Sequence, residues 1–266
     1  MRYVLMPFQF AGTAFAFALF GIGGVIFGLL ITPVLKMTSK SPEEERRRAR
    51  AVVRWWFGRF VAIITALRLV RVEVRNHEAL MKEGAILACS HPSLIDVVCL
   101  LSVVPEATTI VKASLLRNIF TRAPIRAAGY VSNAEGPDAI EKLARELDSG
   151  TAFVIFPEGT RTPSEFPEGE MPRLHRGAAQ LALHTGRSIT PVRITASPRW
   201  LTKDRGWWHL PEKPMTLTFE ALPEIQAAPY LDLYNSCPRL AARRFTLALG
   251  RELFPGIRQP TSSDAP

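Results

Sequence analysis

The first forty residues form an almost unbroken hydrophobic segment. No charged residue occurs between Arg2 and Lys36, and the run from Phe8 to Ile31 contains only two polar side chains. As a helix this run would be about 36 Å long, which is enough to cross the hydrocarbon core of a bilayer with some tilt. Several glycines lie within the run, so a re-entrant hairpin is an alternative to a single span. We therefore expect residues 1–40 to be a membrane segment of one of these two kinds.

Basic residues are concentrated immediately after the apolar run. Only Arg2 and the terminal amine precede it, whereas six cationic side chains follow closely: Lys36, Lys40, Arg46, Arg47, Arg48 and Arg50. By the positive-inside rule, this asymmetry places the bulk of the chain on the cytoplasmic side of the inner membrane. A second cluster of basic and tryptophan side chains either contacts the membrane or packs beneath a loop, and it consists of Lys203, Arg205, Trp207 and Trp208.

A second helix is predicted over residues 41–70. Ser41 is a suitable N-cap, and the proline and glutamates that follow it favour the first helical turn. Arg47, Arg50 and Arg54 share one face of this helix, while aromatic and aliphatic side chains cover the rest. The wide apolar arc favours a basic interfacial helix that lies on anionic headgroups. The alternative is a helix docked on the protein with a solvated basic face.

From residue 70 onwards, segments that predict strands alternate with segments that predict helices. The expected strands are 70–75, 84–89, 108–112, 151–156, 189–195 and 215–220, and the expected helices are 95–104, 139–147 and 175–184. This alternation predicts an α/β fold with helices packed over one sheet. We assign the sheet to a domain at residues 71–225, and we expect a helical extension and tail at residues 226–266.

Composition and charge narrow the class of protein. A chain of 266 residues allows one large domain with an appendage, and a net charge of +9 suits nucleic acid, an anionic membrane or a phosphorylated substrate. Nearly all of the excess charge lies between Arg46 and Arg75, which adjoins the membrane segment and contains no nucleic-acid-reading motif. We therefore expect membrane lipid, and no nucleic acid, as a partner. Three cysteines without C-x-x-C spacing indicate reduced thiols.

The first candidate for chemistry is the segment from Ser90 to Asp96, which follows a predicted strand. Pro92 disfavours helical backbone at His91, so the next helix begins near Ser93 and has Asp96 in its first turn. The Asp96 carboxylate can then reach one imidazole nitrogen of His91 and leave the other free as a base. The alternative is that Ser93 and Asp96 form a capping box for that helix. We expect no metal, because no further ligand has suitable spacing nearby.

The second candidate is the segment Phe156-Pro157-Glu158-Gly159-Thr160-Arg161-Thr162, directly after an apolar strand. Strand ends in α/β sheets face the ligand crevice. A turn there with a glycine, backbone amides, a hydroxyl group and an arginine is suited to bind a phosphate. The alternative is an ordinary turn with surface charges.

Taken together, these motifs resemble those of the glycerolipid acyltransferase family, whose best-known members acylate 1-acylglycerol-3-phosphate. The family has N-H-x-x-x-x-D, then F-P-E-G-T-R-[ST] some 60 residues later, then a short apolar segment with a proline. Here these are residues 90–96, 156–162 and 189–192, and the resemblance covers residues 72–196. Two positions depart from the pattern: Ser90 replaces the usual asparagine, and no arginine follows the segment 129–133.

The resemblance implies a mixed sheet flanked by helices and a set of site residues. His91, oriented by Asp96, would be the catalytic base. Substrate binding would fall to Lys112, Glu158, Gly159, Thr160 and Arg161, with Lys112 and Arg161 on the phosphate of the acceptor.

The function that the resemblance implies is acyl transfer in phospholipid biosynthesis. A fatty acyl group would pass from acyl-CoA or acyl carrier protein to the hydroxyl of a lysophospholipid, with 1-acylglycerol-3-phosphate as the leading candidate. No cofactor and no acyl-enzyme intermediate are expected, and no G-x-S-x-G motif is present. The alternatives are acylation of a non-phosphatidate lipid and a non-catalytic membrane lipid-binding protein.

Overall fold

The computed structural model of the chain describes residues 2–135, 138–166 and 170–255. Its strands are β1 (Val70–Arg75), β2 (Ile86–Cys89), β3 (Ala107–Val111), β4 (Val131–Ser132), β5 (Ala152–Ile155), β6 (Ile189–Ser197) and β7 (Met215–Ala221). Its helices are α1 (Arg2–Ile26), α2 (Thr32–Thr38), α3 (Pro42–Ala66), α4 (His77–Leu80), α5 (Asp96–Val103), α6 (Arg122–Ala127), α7 (Asp138–Asp148), α8 (Gly177–Thr185), α9 (Ala228–Ser236) and α10 (Pro238–Leu253). A π-helical turn occupies Phe27–Ile31, and a 3-10 turn occupies Ala113–Leu116.

The strands form one seven-stranded sheet in the order β1-β7-β6-β2-β5-β3-β4. Every neighbouring pair is parallel except β6 with β7, which is antiparallel. The sheet is therefore mixed, and the predicted α/β fold of a mixed sheet flanked by helices is confirmed. The short strand β4 and the helices α4 and α6 were not predicted, because segments of two to six residues show too little periodicity.

A separate hydrophobic core lies on each face of the sheet. Side chains of β2 alternate between them: Leu87 and Cys89 belong to one core, and Ile86 and Ala88 belong to the other. The first core contains residues of α1, α3 and α5, and the second contains residues of α7, α8 and α10. Because both faces are covered, the central strands are apolar throughout and not alternating.

Two predicted helices have different ends in the structure, for local reasons. The second helix ends at Ala66 and not near residue 70, because Arg68 adopts a left-handed backbone conformation with φ 55° that turns the chain into β1. The helix predicted from His175 begins at Gly177 instead. The backbone N–H of His175 donates to the carbonyl of Pro157 over 2.7 Å, so this residue holds a loop in place.

The N-terminal segment is one continuous helical stretch from Arg2 to Thr38, interrupted only by the π-helical turn. Pro33 lies just after that turn and cannot donate to the helical ladder, which accounts for the local irregularity. The backbone does not reverse at the glycines, so the hairpin alternative is wrong. Residues Pro7–Thr38 are long and apolar enough to cross a membrane, by length and composition alone.

The glycines of α1 serve close packing. A Cβ at Gly23 would overlap the ring of Trp56 on α3, and a Cβ at Gly24 would overlap the backbone carbonyl of Phe120. Only glycine allows the helix to approach these neighbours so closely. As a result α1 lies along α3 and along the segment before α6.

Helix α3 is docked on the domain through a buried arginine. Arg50 is 4% exposed, and its Nη1 donates to Glu146 over 2.8 Å, to Glu106 over 3.2 Å and to the hydroxyl of Thr151. Its Nε donates to the carbonyl of Ala128 over 2.8 Å. The expectation that Arg50 belongs to a basic face on lipid headgroups is therefore wrong for this residue. The docked-helix alternative describes this side of α3, because Arg50 has two carboxylate partners inside the protein.

Replacing Arg50 with methionine should lower the free energy of unfolding by about 3 kcal/mol at neutral pH, because two carboxylates lose their buried partner. Burial raises the pKa of Glu106, and the charge of Arg50 opposes that rise. Without Arg50 the pKa of Glu106 rises further. Protonation of Glu106 at lower pH then removes the unpaired charge, so the difference in unfolding free energy between the variant and the unaltered protein becomes smaller. Denaturant unfolding in detergent between pH 7 and 4 measures this. Arg59→Met, at an exposed position of the same helix, should stay within about 0.5 kcal/mol.

Candidate active site

The two candidate motifs lie beside each other because their strands are neighbours. Strands β2 and β5 pair in parallel, and each motif follows the carboxyl end of its strand. Strand β3 pairs in parallel with β5 on the other side, and Lys112 follows its carboxyl end. Loops after adjacent parallel strands meet at one edge of a sheet. The topology therefore brings together segments that are about 60 residues apart in the sequence.

The structure brings His91 and Asp96 together. The imidazole Nδ1 lies 3.0 Å from Asp96 Oδ2, at the start of α5, where Asp96 is fully buried. The same oxygen accepts a 2.7 Å hydrogen bond from the backbone N–H of Ser93. The Ser93 hydroxyl has no partner among the described residues, so only half of a capping box forms. One oxygen atom of Asp96 thus contacts both the imidazole of His91 and the backbone at the start of the helix.

The burial of Asp96 affects the ionisation of its neighbours. Desolvation raises the pKa of Asp96, and the hydrogen bond from His91 opposes this rise. Burial, together with the Asp96 charge, also raises the pKa of the Cys89 and Cys99 thiols, so neither is an activated nucleophile.

A buried carboxylate joins the two motifs. Glu158 is 6% exposed, and its Oε1 accepts a 2.7 Å hydrogen bond from the backbone N–H of His91. Its Oε2 accepts a 2.6 Å hydrogen bond from the hydroxyl of Thr162, whose own N–H donates to the carbonyl of His91 over 2.8 Å. Both oxygens of Glu158 are therefore engaged by protein, and both backbone groups of His91 are held by the second motif. We call this set of contacts the Glu158 clamp.

The turn inside the second motif places two rings around the site. It is closed by a 3.0 Å hydrogen bond from Gly159 N–H to the carbonyl of Phe156, whose ring centroid is 4.4 Å from that of His91. Gly159 has φ +64°, and a Cβ there would lie 2.8 Å from the imidazole of His175. This position therefore requires glycine. The approach of His175 to this turn could not be predicted from the sequence, because His175 belongs to a loop about 16 residues further along the chain.

Arg161 and Lys112 both line the site but differ in their partners. Arg161 is half-buried, and its Nη1 donates to the carbonyls of Leu201 and Thr202 over 2.9 Å each. Its Nε and Nη2 have no hydrogen-bond partner among the described residues. The ammonium of Lys112 is exposed and makes no hydrogen bond or ion pair within the same described part of the chain. Sequence reasoning missed the segment at Leu201, which also accepts a hydrogen bond from Leu94 N–H.

A cavity of about 1120 Å³ opens at His91, somewhat larger than the roughly 300–1,000 Å³ of most small-molecule sites. Its polar lining includes His91, Lys112, Thr160, Arg161 and His175. Its apolar lining includes Phe17, Phe20, Phe57, Phe60 and Leu101 on one side and Ile140, Leu143 and Phe153 on the other. Asp96 and Glu158 are not among the lining residues, because both lie behind His91.

The two tryptophans of the second basic cluster, Trp207 and Trp208, differ in their surroundings. Trp207 packs against α1, with its ring centroid 5.3 Å from that of Phe10 and 5.6 Å from that of Phe17. Trp208 is 58% exposed. Among the described residues, no three His, Cys, Asp or Glu side chains come together in the manner of metal ligands.

Comparisons with known proteins agree with this architecture. Residues 71–195 match the model of the family described as Acyltransferase. A 1-acyl-sn-glycerol-3-phosphate acyltransferase of Pseudomonas aeruginosa is 26% identical over 172 residues, which are 62% of this chain and 65% of that protein. One of Cocos nucifera is 28% identical over 120 residues, or 42% of this chain and 38% of that protein. The chain thus matches less than two thirds of the length of either relative.

The crystal structure of the 1-acyl-sn-glycerophosphate acyltransferase of Thermotoga maritima superposes with a TM-score of 0.65. It covers 95% of this chain and 96% of its own, at 19% sequence identity, and so supports the fold. The family model and the two relatives together support assignment to the glycerolipid acyltransferase family, and the structural likeness supports the fold.

Proposed function

We propose that this protein transfers a fatty acyl group from a thioester donor to the hydroxyl of a lysophospholipid, with 1-acylglycerol-3-phosphate as the preferred acceptor. The observation that supports this most is the position of His91. Its Nδ1 faces a buried carboxylate at 3.0 Å, and its ring lines a large apolar cavity together with Lys112 and Arg161. A base, a cationic region and a wide apolar space are the three features that acylation of a charged lipid requires. The two relatives bear the name of this activity.

The proposed reaction needs one base and no covalent intermediate. Because Nδ1–H of His91 donates to Asp96, Nε2 has a free lone pair that can take the proton from the acceptor hydroxyl. The acceptor oxygen attacks the thioester carbonyl carbon, and the carbon–sulfur bond then breaks. The departing thiolate takes the proton from the imidazolium. The products are an ester and a free thiol, and His91 returns to its neutral form.

The acceptor phosphate is assigned to Lys112 and Arg161. Lys112 has a free ammonium at the cavity, and Arg161 retains two nitrogens that are not engaged by the carbonyls of Leu201 and Thr202. A guanidinium group with two available donors suits a phosphate oxygen pair. The donor, whether acyl-CoA or acyl carrier protein, would place its acyl chain in the apolar part of the cavity. The length of that chain depends on the apolar side chains at the end of the cavity.

A second candidate is acylation of a lipid without a phosphate, and one feature favours it. In this family the segment at residues 129–133 is usually followed by an arginine, but here no arginine follows it. Three residues of the segment line the cavity instead: Tyr130, Ser132 and Asn133. Asn133 instead accepts a 3.1 Å hydrogen bond from the N–H of Ala113. A third possibility, a lipid-binding protein without catalysis, would not require the His91–Asp96 pair.

Substitution of the catalytic pair tests the function itself. His91→Ala should lower turnover of lysophosphatidate and acyl-CoA by about 10²–10⁴-fold, because the general base is lost. Asp96→Asn should cause a comparable loss, since an amide that donates to Nδ1 places the imidazole proton on Nε2. Initial rates of purified variants with labelled donor measure both.

His184→Ala serves as the matched control for these substitutions. This histidine lies on α8, where it pairs with Glu141 at 3.2 Å and does not line the cavity. Turnover by the His184→Ala variant should equal that of the unaltered protein. Near-native turnover in His91→Ala would contradict the proposed reaction.

Lys112→Ala provides a direct test of phosphate recognition, because this side chain holds no other part of the protein. It should raise KM for lysophosphatidate about tenfold or more and leave KM for the donor unchanged, since a charge-assisted contact contributes about 1.5–3 kcal/mol. Lys82→Ala, on the opposite side where Lys82 pairs with Glu224, is the control. Equal use of monoacylglycerol and lysophosphatidate by the unaltered protein, with no effect of Lys112→Ala, would favour the non-phosphatidate acceptor.

We further propose that the chain is bound to the cytoplasmic leaflet and that α1 lies within that leaflet and does not cross the bilayer. Contacts along α1 and the π-helical turn that follows it support this. Phe10 and Phe17 meet Trp207, Phe20 meets Phe57 at 5.9 Å, and a Cβ at Gly28 would touch Ala123. A helix docked throughout on a charged domain cannot span the membrane without burying that domain.

Cysteine labelling distinguishes these topologies. Phe8→Cys and Met37→Cys replace side chains that are 81% and 86% exposed near the two ends of the segment. In a Cys237→Ser background, the remaining native thiols, Cys89 and Cys99, are buried. A membrane-impermeant maleimide should label neither position from the periplasmic face of right-side-out vesicles. Labelling of either position from that face would instead show a span.

A further inference from the structure

The segment between β3 and α6, residues 113–121, presents apolar side chains on an ordered loop. Ile119 is 57% exposed, Phe120 45% and Leu115 37%. The hydroxyl of Thr121 donates to the carbonyl of Leu115 over 2.7 Å, and Phe120 N–H donates to the Asn118 side chain over 2.9 Å. These hydrogen bonds hold the loop in a defined shape. Exposing such side chains costs solvation free energy in water, so the arrangement indicates a contact surface.

This 113–121 loop packs directly against α1. The backbone carbonyl of Phe120 packs on Gly24, and its ring lies 3.3 Å from the Cβ position of Gly21. On their outer side, α1 and the π-helical turn that follows it expose large apolar residues at intervals of seven, with exposed fractions between 53% and 81%: Phe8, Phe15, Ile22 and Leu29. Because residues seven apart share a helix face, these side chains form a stripe along the segment. The loop packs on the flank of the same helix, at Gly21 and Gly24, and both the stripe and the loop expose apolar side chains.

The charges around the loop all have one sign. Lys112, Arg117, Arg122 and Arg126 are exposed, and their side chains form no ion pair or hydrogen bond among the described residues. No acidic residue occurs between Glu106 and Glu135. Cations beside an apolar surface suit anionic lipid headgroups above hydrocarbon. A second copy of this chain would bring four like charges together, which disfavours self-association.

The loop also forms part of the cavity rim. Lys112, Leu115, Phe120 and Thr121 line the cavity, and both Leu115 and Phe120 are more than one-third exposed. Phe20 and Gly24 of α1 line the same cavity, and Phe120 packs on Gly24. A side chain that is both exposed and part of the cavity lining lies at the mouth of the cavity. Leu115 and Phe120 therefore place this mouth at the loop.

We propose that the 113–121 loop inserts Ile119 and Phe120 into an anionic leaflet, and that the mouth of the cavity, at Leu115 and Phe120, opens to this leaflet. A lipid could then reach Lys112 laterally, with its hydrocarbon chain remaining in the bilayer. Only the identity of that lipid rests on the proposed function; membrane insertion of the loop does not.

Vesicle binding tests the insertion. Ile119→Asp should weaken partitioning onto phosphatidylglycerol–phosphatidylcholine vesicles about tenfold or more, because an apolar contact is lost and an anion is placed at the surface. Leu247→Asp is the matched control: Leu247 is 40% exposed on α10, and its substitution should not change partitioning. Flotation measures both, and thermal unfolding of each variant in detergent verifies that it is folded. Unchanged partitioning of a folded Ile119→Asp variant would overturn the proposal.

A fluorescent probe reports insertion independently of stability. Ile119→Cys in the Cys237→Ser background, labelled with an environment-sensitive fluorophore, should show blue-shifted emission when vesicles are added. The same label at Leu247→Cys should not. A blue shift that depends on protein concentration without vesicles would identify a second copy as the occupant and reject the membrane.

Activity separates this proposal from the proposed function. Ile119→Asp should raise the apparent KM for lysophosphatidate presented in vesicles several-fold, and it should leave turnover of a monomeric short-chain acceptor unchanged, because Ile119 does not line the cavity. If Ile119→Asp and the unaltered protein had equal KM values for lysophosphatidate in vesicles, lateral entry would be contradicted. If the unaltered protein turned over neither the vesicle-bound nor the monomeric acceptor, the acyltransferase function would be rejected. The vesicle-binding result would not be affected.

Discussion

The Glu158 clamp is the constraint on which the candidate active site depends. One buried carboxylate holds the backbone N–H of His91 at 2.7 Å and the hydroxyl of Thr162 at 2.6 Å, and so joins the loops after two neighbouring strands. Burial raises the pKa of Glu158, and these two hydrogen bonds oppose that rise. The orientation of the His91 imidazole is then set by the fixed backbone of His91 and by the contact of Nδ1 with Asp96. Neither carboxylate lines the cavity, so in the proposed reaction both would act through His91.

Local sequence determined which parts of this site were predictable. Pro92 fixed the break between strand and helix, and that break was sufficient to predict that Asp96 reaches His91. The role of Glu158 was not predictable, because a glutamate in a turn gives no indication of a partner 67 positions away. Arg50 was misplaced for a related reason: helical periodicity assigns arginine to an exposed face, and its carboxylate partners lie on other elements. In each case the error concerned long-range polar contacts, while apolar periodicity predicted the sheet and its flanking helices.

The loop between β6 and β7 is one connection between the N-terminal helix and the site. Trp207 packs on Phe10 and Phe17 of α1, and the same loop provides the Leu201 and Thr202 carbonyls that accept hydrogen bonds from Arg161. The apolar segment is therefore more than an anchor, because its position bears on a cationic side chain at the cavity. Its glycines, which suggested a bend, instead permit close packing on Trp56 of α3 and on the backbone of Phe120.

The most direct test of the clamp is a steady-state comparison of Glu158→Ala with the unaltered protein. If Glu158 positions His91, kcat should fall about ten- to a hundredfold, the effect of losing about 1.5–3 kcal/mol of charge-assisted hydrogen bonding, with both KM values nearly unchanged. Glu158→Gln should recover part of kcat, because its carbonyl can still accept from His91. A normal kcat with a raised KM for the lipid acceptor would contradict this account and show that Glu158 binds substrate.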